Sequence, residues 1–271
     1  MKYQLIVLDI DGTLLPHRAE RVTRAVADAV NAVQAAGVKV AIATGRARSA
    51  IPPRLLRGIR PDYFICANGA QVTDRGGDLL FADTMTPEEM YALVDFCEND
   101  EYPLAFVFDD GYYAYVEAAR MSAAYASVAG AAAGVVLDGE DQDHHLERMP
   151  FDAFCAMPPE AAAAFQEKYG YLGLRFFPYA PGRYDIVPGR TDKAKGLGIV
   201  LEHAGLSAAG TVAVGDAPND LAMLRLAGCG VAVATAPETV RAEADLVCPS
   251  AAEDGVAALC RSLFPQAFGH G

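Results

Sequence analysis

The feature that most constrains the fold is the start of the chain, where an apolar strand runs directly into two carboxylates. Leu5–Leu8 is a run of strand-forming residues, and Asp9-Ile10-Asp11-Gly12-Thr13 follows it without a break. In open α/β sheets, ligands bind at the carboxyl ends of the strands. Alternate strand positions face the same way, so Asp9 and Asp11 can act on one ligand. Taken alone, the segment is equally typical of a simple Asp-Gly turn.

Strands and helices alternate at both ends of the chain. Strands are predicted at Leu5–Leu8, Val38–Ala43, Tyr63–Ala67, Thr211–Val214, Val231–Val233 and Leu246–Cys248. Helices are predicted at Ala19–Ala36, Ser49–Leu56, Lys193–Ala204 and Asp220–Ala227. This alternation predicts an α/β fold whose parallel sheet is covered by helices on both faces.

The middle of the chain has a different pattern. A helix at Pro87–Glu98 precedes a hairpin pattern, in which Asp109-Asp110-Gly111 separates the strands Ala105–Phe108 and Tyr112–Val116. Further helices are predicted at 118–133 and Glu160–Tyr169, and further strands at Leu174–Phe177 and Tyr184–Val187. We therefore expect an α+β domain at 84–185, inserted into a discontinuous core domain formed by 1–83 and 186–271.

Composition narrows the possible partners. The net charge of −13 disfavours nucleic acid and anionic membranes, but it leaves a small phosphorylated ligand possible. No secretory leader is expected, and no apolar run approaches the roughly 18 residues that a membrane span needs. The six cysteines form no Cys-x-x-Cys pair, which predicts reduced thiols in a cytoplasmic protein. The sequence leaves the oligomeric state open.

Three more polar segments lie at strand or helix ends. Thr44-Gly45-Arg46 follows the second strand; it can hold phosphate oxygens, although Thr-Gly is more often only a turn. Gly215-Asp216-Ala217-Pro218-Asn219-Asp220 follows a later strand, and a helix N-cap would explain Asn219 or Asp220 but not Asp216 as well. Lys193 opens a helix, where a cation is disfavoured unless an anion lies nearby. Lys195 is a competing candidate. Carboxylate oxygens such as those of Asp9, Asp11 and Asp216 suit Mg²⁺.

Together these segments resemble the four motifs of the haloacid dehalogenase (HAD) superfamily of phosphohydrolases. The motifs correspond, in order, to Asp9–Leu14, Thr44, Lys193 and Gly215–Asp220. The resemblance extends to the Cof-type subfamily through Asn68-Gly69-Ala70, Asp185-Ile186-Val187-Pro188, Asn219-Asp220-x-x-Met223-Leu224 and Glu253-Asp254-Gly255-Val256. The subfamily usually has Lys-Gly at its third motif. Here the order is Lys193-Ala194-Lys195-Gly196, and spacing from Asp185 and Gly205 favours Lys193.

The resemblance implies a Rossmann-like core with the inserted domain as a cap over the carboxyl edge of the sheet. It also implies a Mg²⁺-dependent phosphatase for small phosphorylated metabolites, such as a sugar phosphate or a cofactor-like phosphomonoester. A phosphotransferase or phosphosugar mutase on the same scaffold is an alternative, and so is a protein that binds such a metabolite without catalysis.

The resemblance further assigns roles to individual residues. Asp9 would be the nucleophile that forms an aspartyl-phosphate, and Asp11 the general acid and base. Mg²⁺ would be held by Asp9, the main-chain carbonyl of Asp11 and Asp216. The phosphate ligands would be Thr44, the Gly45 amide, Lys193 and Asn219, with Asp220 orienting Lys193 or a metal-bound water.

Some side chains keep two interpretations. Arg46 would either reach the substrate or pair with a nearby acid, and Arg183 is a candidate substrate contact from the cap. The aromatic residues Phe176, Phe177, Tyr179 and Tyr184 are expected to form the core of the cap rather than a platform for substrate.

Overall fold

A computed structural model describes residues 2–16, 19–129 and 135–269 of the chain. Within these residues the strands form two sheets. The strands of the first sheet are β1 (Leu5–Leu8), β2 (Lys39–Ala43), β3 (Tyr63–Cys66), β4 (Gln71–Asp74), β5 (Leu79–Ala82), β12 (Thr211–Gly215), β13 (Cys229–Val233) and β14 (Leu246–Cys248). Those of the second are β6 (Leu104–Val107), β7 (Tyr112–Val116), β8 (Val136–Asp138), β9 (Asp152–Ala156), β10 (Arg175–Ala180) and β11 (Arg183–Val187).

Helices cover these sheets. They are α1 (Arg24–Ala35), α2 (Pro87–Asn99), α3 (Ala118–Ala129), α4 (Pro159–Tyr169), α5 (Lys193–Ala204), α6 (Leu221–Leu226), α7 (Glu238–Arg241) and α8 (Gly255–Leu263). In the described part of the chain, no helix has both the length and the apolar character that crossing a bilayer requires.

The first sheet has the order β14-β13-β12-β1-β2-β3-β4-β5, and its strands from β14 to β3 are parallel. The strand β1 lies near the centre of this sheet, and its four residues are completely buried, as expected for a strand covered on both faces. The chain leaves β1 towards β2 on one side and returns as β12 on the other. Such a reversal of strand order opens a crevice at the carboxyl ends of the strands.

This architecture confirms the expected Rossmann-like α/β core with an added cap. It differs at one edge of the sheet, because β4 and β5 are antiparallel and were not predicted. The segment 49–56 is also not the predicted helix. Only Arg48–Ala50 forms a 3₁₀ turn, since Pro52 and Pro53 lack N–H groups and disfavour helical backbone before them.

Helix boundaries differ at other places. The first helix begins at Arg24 rather than Ala19, because the Thr23 side chain accepts a hydrogen bond from the Val26 amide and caps it there. The segment predicted as a helix from Asp220 begins with a 3₁₀ turn and becomes α-helical at Leu221. Of the helix predicted at 118–133, residues 130–133 lie outside the described residues.

The second sheet has the order β10-β11-β9-β6-β7-β8 and lies over the loops of the first. One of its faces packs against α2 and α4. Its other face contributes Val107 and Phe154 to a cluster that also contains Ala47, Ala67 and Ala70, from the loops after β2 and β3. The cap therefore packs directly on the edge of the sheet where the crevice opens.

Arg190 joins the two connections between the sheets. Its guanidinium donates to the Asp83 carboxylate, to the main-chain oxygen of Thr84 and to the Glu89 carboxylate, at 2.5–3.0 Å. The cap boundaries predicted at 84 and 185 lie near this point, and they stay a prediction. The strand β11 continues two residues beyond the second of them.

Candidate active site

The central strands deliver polar side chains to one edge of the sheet. Asp9 follows β1, Thr44 follows β2 and Asp216 follows β12, and these three strands are neighbours. All three residues line a cavity of about 380 Å³ between the sheet edge and the cap. The sequence prediction that separate strand-end segments meet at one place therefore agrees with the structure.

Lys193 joins two carboxylates at this edge of the sheet. Its Nζ atom donates to Asp9 Oδ1 at 2.7 Å and to Asp220 Oδ1 at 2.6 Å, and all three side chains are buried. The two carboxylates hold the pKa of the ammonium group above its ordinary value, although burial opposes this. Lys193 is therefore a fixed positive charge beside Asp9.

The structure separates the two lysine candidates. The ammonium group of Lys195 lies 3.0 Å from Asp83 Oδ2 and over the ring of Phe81. The physical reason is helical geometry, since residues two apart on α5 point to different sides. Lys193 alone of the pair reaches Asp9.

Asp220 organises the turn after β12. Its Oδ2 atom accepts hydrogen bonds from the amides of Asp216 and Ala217, each at 2.9 Å, while its Oδ1 binds Lys193. Asp9 and Asp216 line the cavity, whereas Asp220 is engaged by these bonds and is not part of the lining.

The carboxylates crowd one another. One carboxylate oxygen from each of Asp9, Asp216 and Asp220 lies within 4.8 Å of the other two. Burial, followed by the neighbouring Asp220, raises the pKa of Asp216 to about 7. Burial also raises the pKa of Asp9 well above its usual range, against the opposing effect of Lys193. Hard oxygen donors with excess negative charge fit a divalent cation such as Mg²⁺.

Gly12 makes this crowding possible. Its φ of +89° belongs to the left-handed region, and a Cβ atom there would lie 2.2 Å from Asp216 Oδ2. The Thr13 hydroxyl donates to Asp216 Oδ1 at 3.0 Å. The Asp-Gly-Thr segment after Asp9 is therefore more than a turn, because it lets Asp216 approach β1 and then holds it.

Asp11 lines the same cavity and pairs with an arginine. Arg46 binds its two carboxylate oxygens in a bidentate pair, at 2.7 Å from Nε and 2.6 Å from Nη2. The Arg46 side chain is buried, whereas that of Asp11 is half exposed. Of the two interpretations of Arg46, the structure shows the contact with an acid, and Arg46 lines the cavity as well.

The predicted phosphate ligands also line the cavity. They are Thr44, Gly45 and Asn219, while Lys193 lies behind Asp9. The Asn219 amide donates to Asn68 Oδ1 at 2.9 Å. Asn68, which the sequence analysis noted only as part of a family pattern, is buried with a left-handed φ of 51° and joins Asn219 to the cap.

The cap closes the cavity from above with side chains that sequence reasoning did not assign to the site. We call Asp152, Phe154, Tyr179 and Asp185 the cap wall; Tyr112 and Tyr125 also line the cavity. Of the predicted aromatic cluster, Phe176 and Tyr184 do pack on the cap core. Tyr179 lines the cavity instead, and the alternation of side chains along a strand is the signal that could have separated these positions.

Arg183 is not brought together with the other candidates. It lines a different groove with Arg120 and Met157, on the α3 side of the cap. Its proposed contact with substrate stays a prediction.

Comparison with known proteins identifies the family. The family model for haloacid dehalogenase-like hydrolases matches residues 6–259. The chain belongs to this family. Within it, the protein YxeH of Bacillus subtilis (strain 168) is 28% identical over 272 residues, covering 94% of this chain and 96% of YxeH. Phosphatase YwpJ of the same organism is 26% identical and covers 96% of this chain and 99% of its own.

Solved structures agree with the sequence relatives. The HAD subclass IIB sugar phosphatase BT4131 is 25% identical, with a TM-score of 0.83, over 96% of this chain and 98% of that chain. The predictions of a Cof-type HAD protein and of a phosphatase enzyme are confirmed.

Proposed function

We propose that this HAD-family phosphatase hydrolyses small phosphorylated metabolites in a Mg²⁺-dependent reaction, through an aspartyl-phosphate on Asp9. The observation that carries the proposal is the buried contact of Lys193 with Asp9 at the floor of the cavity. A nucleophilic carboxylate must stay ionised despite its burial, and a fixed ammonium group favours that form.

The first step transfers the phosphoryl group to the enzyme. A carboxylate oxygen of Asp9 forms a bond to phosphorus while the bond to the leaving oxygen breaks. Asp11 gives a proton to that oxygen, and to hold this proton one of its carboxyl oxygens must leave the bidentate pair with Arg46. Thr44, the Gly45 amide, Lys193 and Asn219 stabilise the charge on the phosphoryl oxygens.

The second step returns the enzyme to its starting state. Asp11, now ionised, takes a proton from a water molecule that attacks the phosphorus. The bond between phosphorus and Asp9 breaks, and inorganic phosphate leaves. Because Asp11 lies at the half-exposed side of the cavity, it can reach both the leaving group and water.

The donor set supports a role for a divalent cation. Asp9 and Asp216, together with the main-chain carbonyl of Asp11, would hold Mg²⁺, while Asp220 is occupied by Lys193 and two amides. Mg²⁺ bound there reduces the repulsion between the anionic nucleophile and the anionic phosphate.

The cavity supports a small substrate. Its volume of about 380 Å³ lies near the lower end of ordinary ligand pockets. A sugar phosphate or a cofactor-like phosphomonoester fits this proposal. The six cysteines are all unpaired and buried, which supports the proposed cytoplasmic location.

Phosphate release from p-nitrophenyl phosphate tests the proposal directly. We expect release with Mg²⁺, loss of release with EDTA, and recovery when Mg²⁺ is added in excess. Absence of Mg²⁺-dependent release would contradict the proposal. Transfer of the phosphoryl group to a sugar hydroxyl without free phosphate would favour the phosphotransferase alternative.

A further inference from the structure

One oxygen of a buried carboxyl group in the cap wall lacks a hydrogen-bond partner in the described part of the chain. Asp152 is 2% exposed at the start of β9, and it lines the same cavity as Asp9. Its Oδ2 atom accepts a hydrogen bond from Asn68 Nδ2 at 2.9 Å. Its Oδ1 atom is buried and has no partner among residues 2–16, 19–129 and 135–269. Native structures rarely leave such an acceptor unsatisfied, so Oδ1 marks a place for a donor from a ligand.

A second unsatisfied acceptor faces the same region from the core side. Asn219 donates its amide hydrogen to Asn68, while its Oδ1 atom is buried without a partner in the described ranges. Asn68 thus fixes both Asp152 and Asn219, and it uses its own donor and acceptor in doing so. The two remaining oxygens are both acceptors. A ligand group that pairs with either oxygen must be a hydrogen-bond donor.

The charge of the cap wall also favours a ligand that donates hydrogen bonds. Asp185, on the neighbouring strand β11, carries the other carboxyl group of this wall. It lies close to Gly45, because a Cβ atom built on that glycine would be 3.4 Å from Asp185 Oδ2. Burial and the nearby Asp185 raise the pKa of Asp152 well above its usual range. A donor on the ligand makes ionisation of this pair less costly, whereas another anion makes it more costly.

We propose that Asp152 is a specificity-determining residue, which accepts a hydrogen bond from a hydroxyl or ammonium group of the leaving group. The same carboxyl group disfavours phosphomonoesters whose leaving group carries a carboxylate or a second phosphate. This proposal rests on the proposed function, because it treats the cavity above Asp9 as the place of the leaving group.

A matched pair of ligands tests it. Glycerol 3-phosphate and 3-phosphoglycerate differ in one group, a hydroxymethyl in the first and a carboxylate in the second. We expect the enzyme to prefer glycerol 3-phosphate in kcat/KM by about tenfold or more, as expected for a hydrogen bond to a charged group. Calorimetric binding to the Asp9→Asn variant with Mg²⁺ should show the same preference without turnover.

Variants assign the preference to its residue. Asp152→Asn should reduce the preference towards unity, because its amide can donate to the carboxylate of 3-phosphoglycerate. Asp95→Asn, on the exposed side of α2, is the matched control and should keep the preference of the wild type. The wild-type preference by itself already tests the proposal, so a variant that fails to fold does not remove the test.

The outcomes separate this inference from the proposed function. Equal kcat/KM values for the two ligands in the wild type would overturn the inference. A wild-type preference that Asp152→Asn leaves unchanged would overturn it too. Selective binding without any phosphate release would instead contradict the phosphatase proposal and support the role of Asp152. Failure of both ligands to bind would overturn the inference as well.

Discussion

The two sides of the cavity differ in how completely their carboxylates are paired. On the core side, Lys193 binds two carboxylates, and Asp220 accepts three hydrogen bonds. On the cap side, one buried oxygen of Asp152 has no hydrogen-bond partner within the described residues. The core side is thus already arranged for phosphoryl chemistry, which is the same for every phosphomonoester. The cap wall, in contrast, keeps an acceptor for the proposed leaving group.

This difference follows from how the two sides are built. Asp9, Thr44 and Asp216 follow adjacent parallel strands, where the sheet fixes their separation. The cap wall lies on another sheet, joined to the core by the two connections that Arg190 links. The proposed chemistry and the proposed selectivity therefore lie on separate sheets, and substitutions should affect them separately.

The largest effect is expected on the core side. Asp9→Asn removes the nucleophile and should lower kcat for p-nitrophenyl phosphate at least about a thousandfold. Acid quenching during turnover, followed by borohydride reduction and mass spectrometry, should find the acyl phosphate on Asp9 of the wild type. Asp95→Asn is the control for expression and folding. Near-normal activity of Asp9→Asn would show that another residue is the nucleophile.

A smaller effect, which depends on the leaving group, is expected for Asp11→Asn. Its kcat/KM for glycerol 3-phosphate should fall about a hundredfold or more, because an alkoxide needs a proton as it leaves. For p-nitrophenyl phosphate the fall in kcat/KM should be much smaller, because p-nitrophenolate is a stable anion. Equal losses with both substrates would assign Asp11 a role other than general acid.

The smallest effect is expected from the cap wall and concerns stability. Burial raises the pKa of Asp185 from 3.8 to about 7, with Asp11 adding to the rise and with Lys193 and Asn68 opposing it. The folded state therefore binds a proton more tightly than the unfolded state. The stability that this provides is fully present below pH 3.8 and is lost as the pH rises through about 7.

Asp185→Asn has no titrating carboxyl group at position 185, so it should not show this loss of folding stability as the pH rises. Its free energy of unfolding, measured by urea denaturation, should fall less than that of the wild type between pH 4 and about 7. Asp95→Asn, at an exposed position, should follow the wild-type profile. If the free energy of unfolding of Asp185→Asn changes with pH in the same way as that of the wild type, Asp185 has the same pKa in the folded and the unfolded state.

Much of the core could be predicted because its signals are local. The run Leu5–Leu8 is apolar at every position because its strand is buried on both faces. The strand-end segments with Asp9, Thr44 and Asp216 could be read for the same reason. The hairpin of β4 and β5 could not, because its strands are short and β5 is partly exposed, so periodicity is weak.

The sequence by itself determined which residues could be proposed for the chemistry, since Asp9, Asp11, Lys193 and Asp216 lie in short segments whose local structure places them at element ends. Only the tertiary structure decided how they combine. It chose Lys193 over Lys195, paired Arg46 with Asp11, and brought Asp152 and Tyr179 above Asp9. Contacts such as that of Lys193 with Asp9 join residues far apart in the chain, and their geometry depends on how the sheets pack rather than on any local pattern.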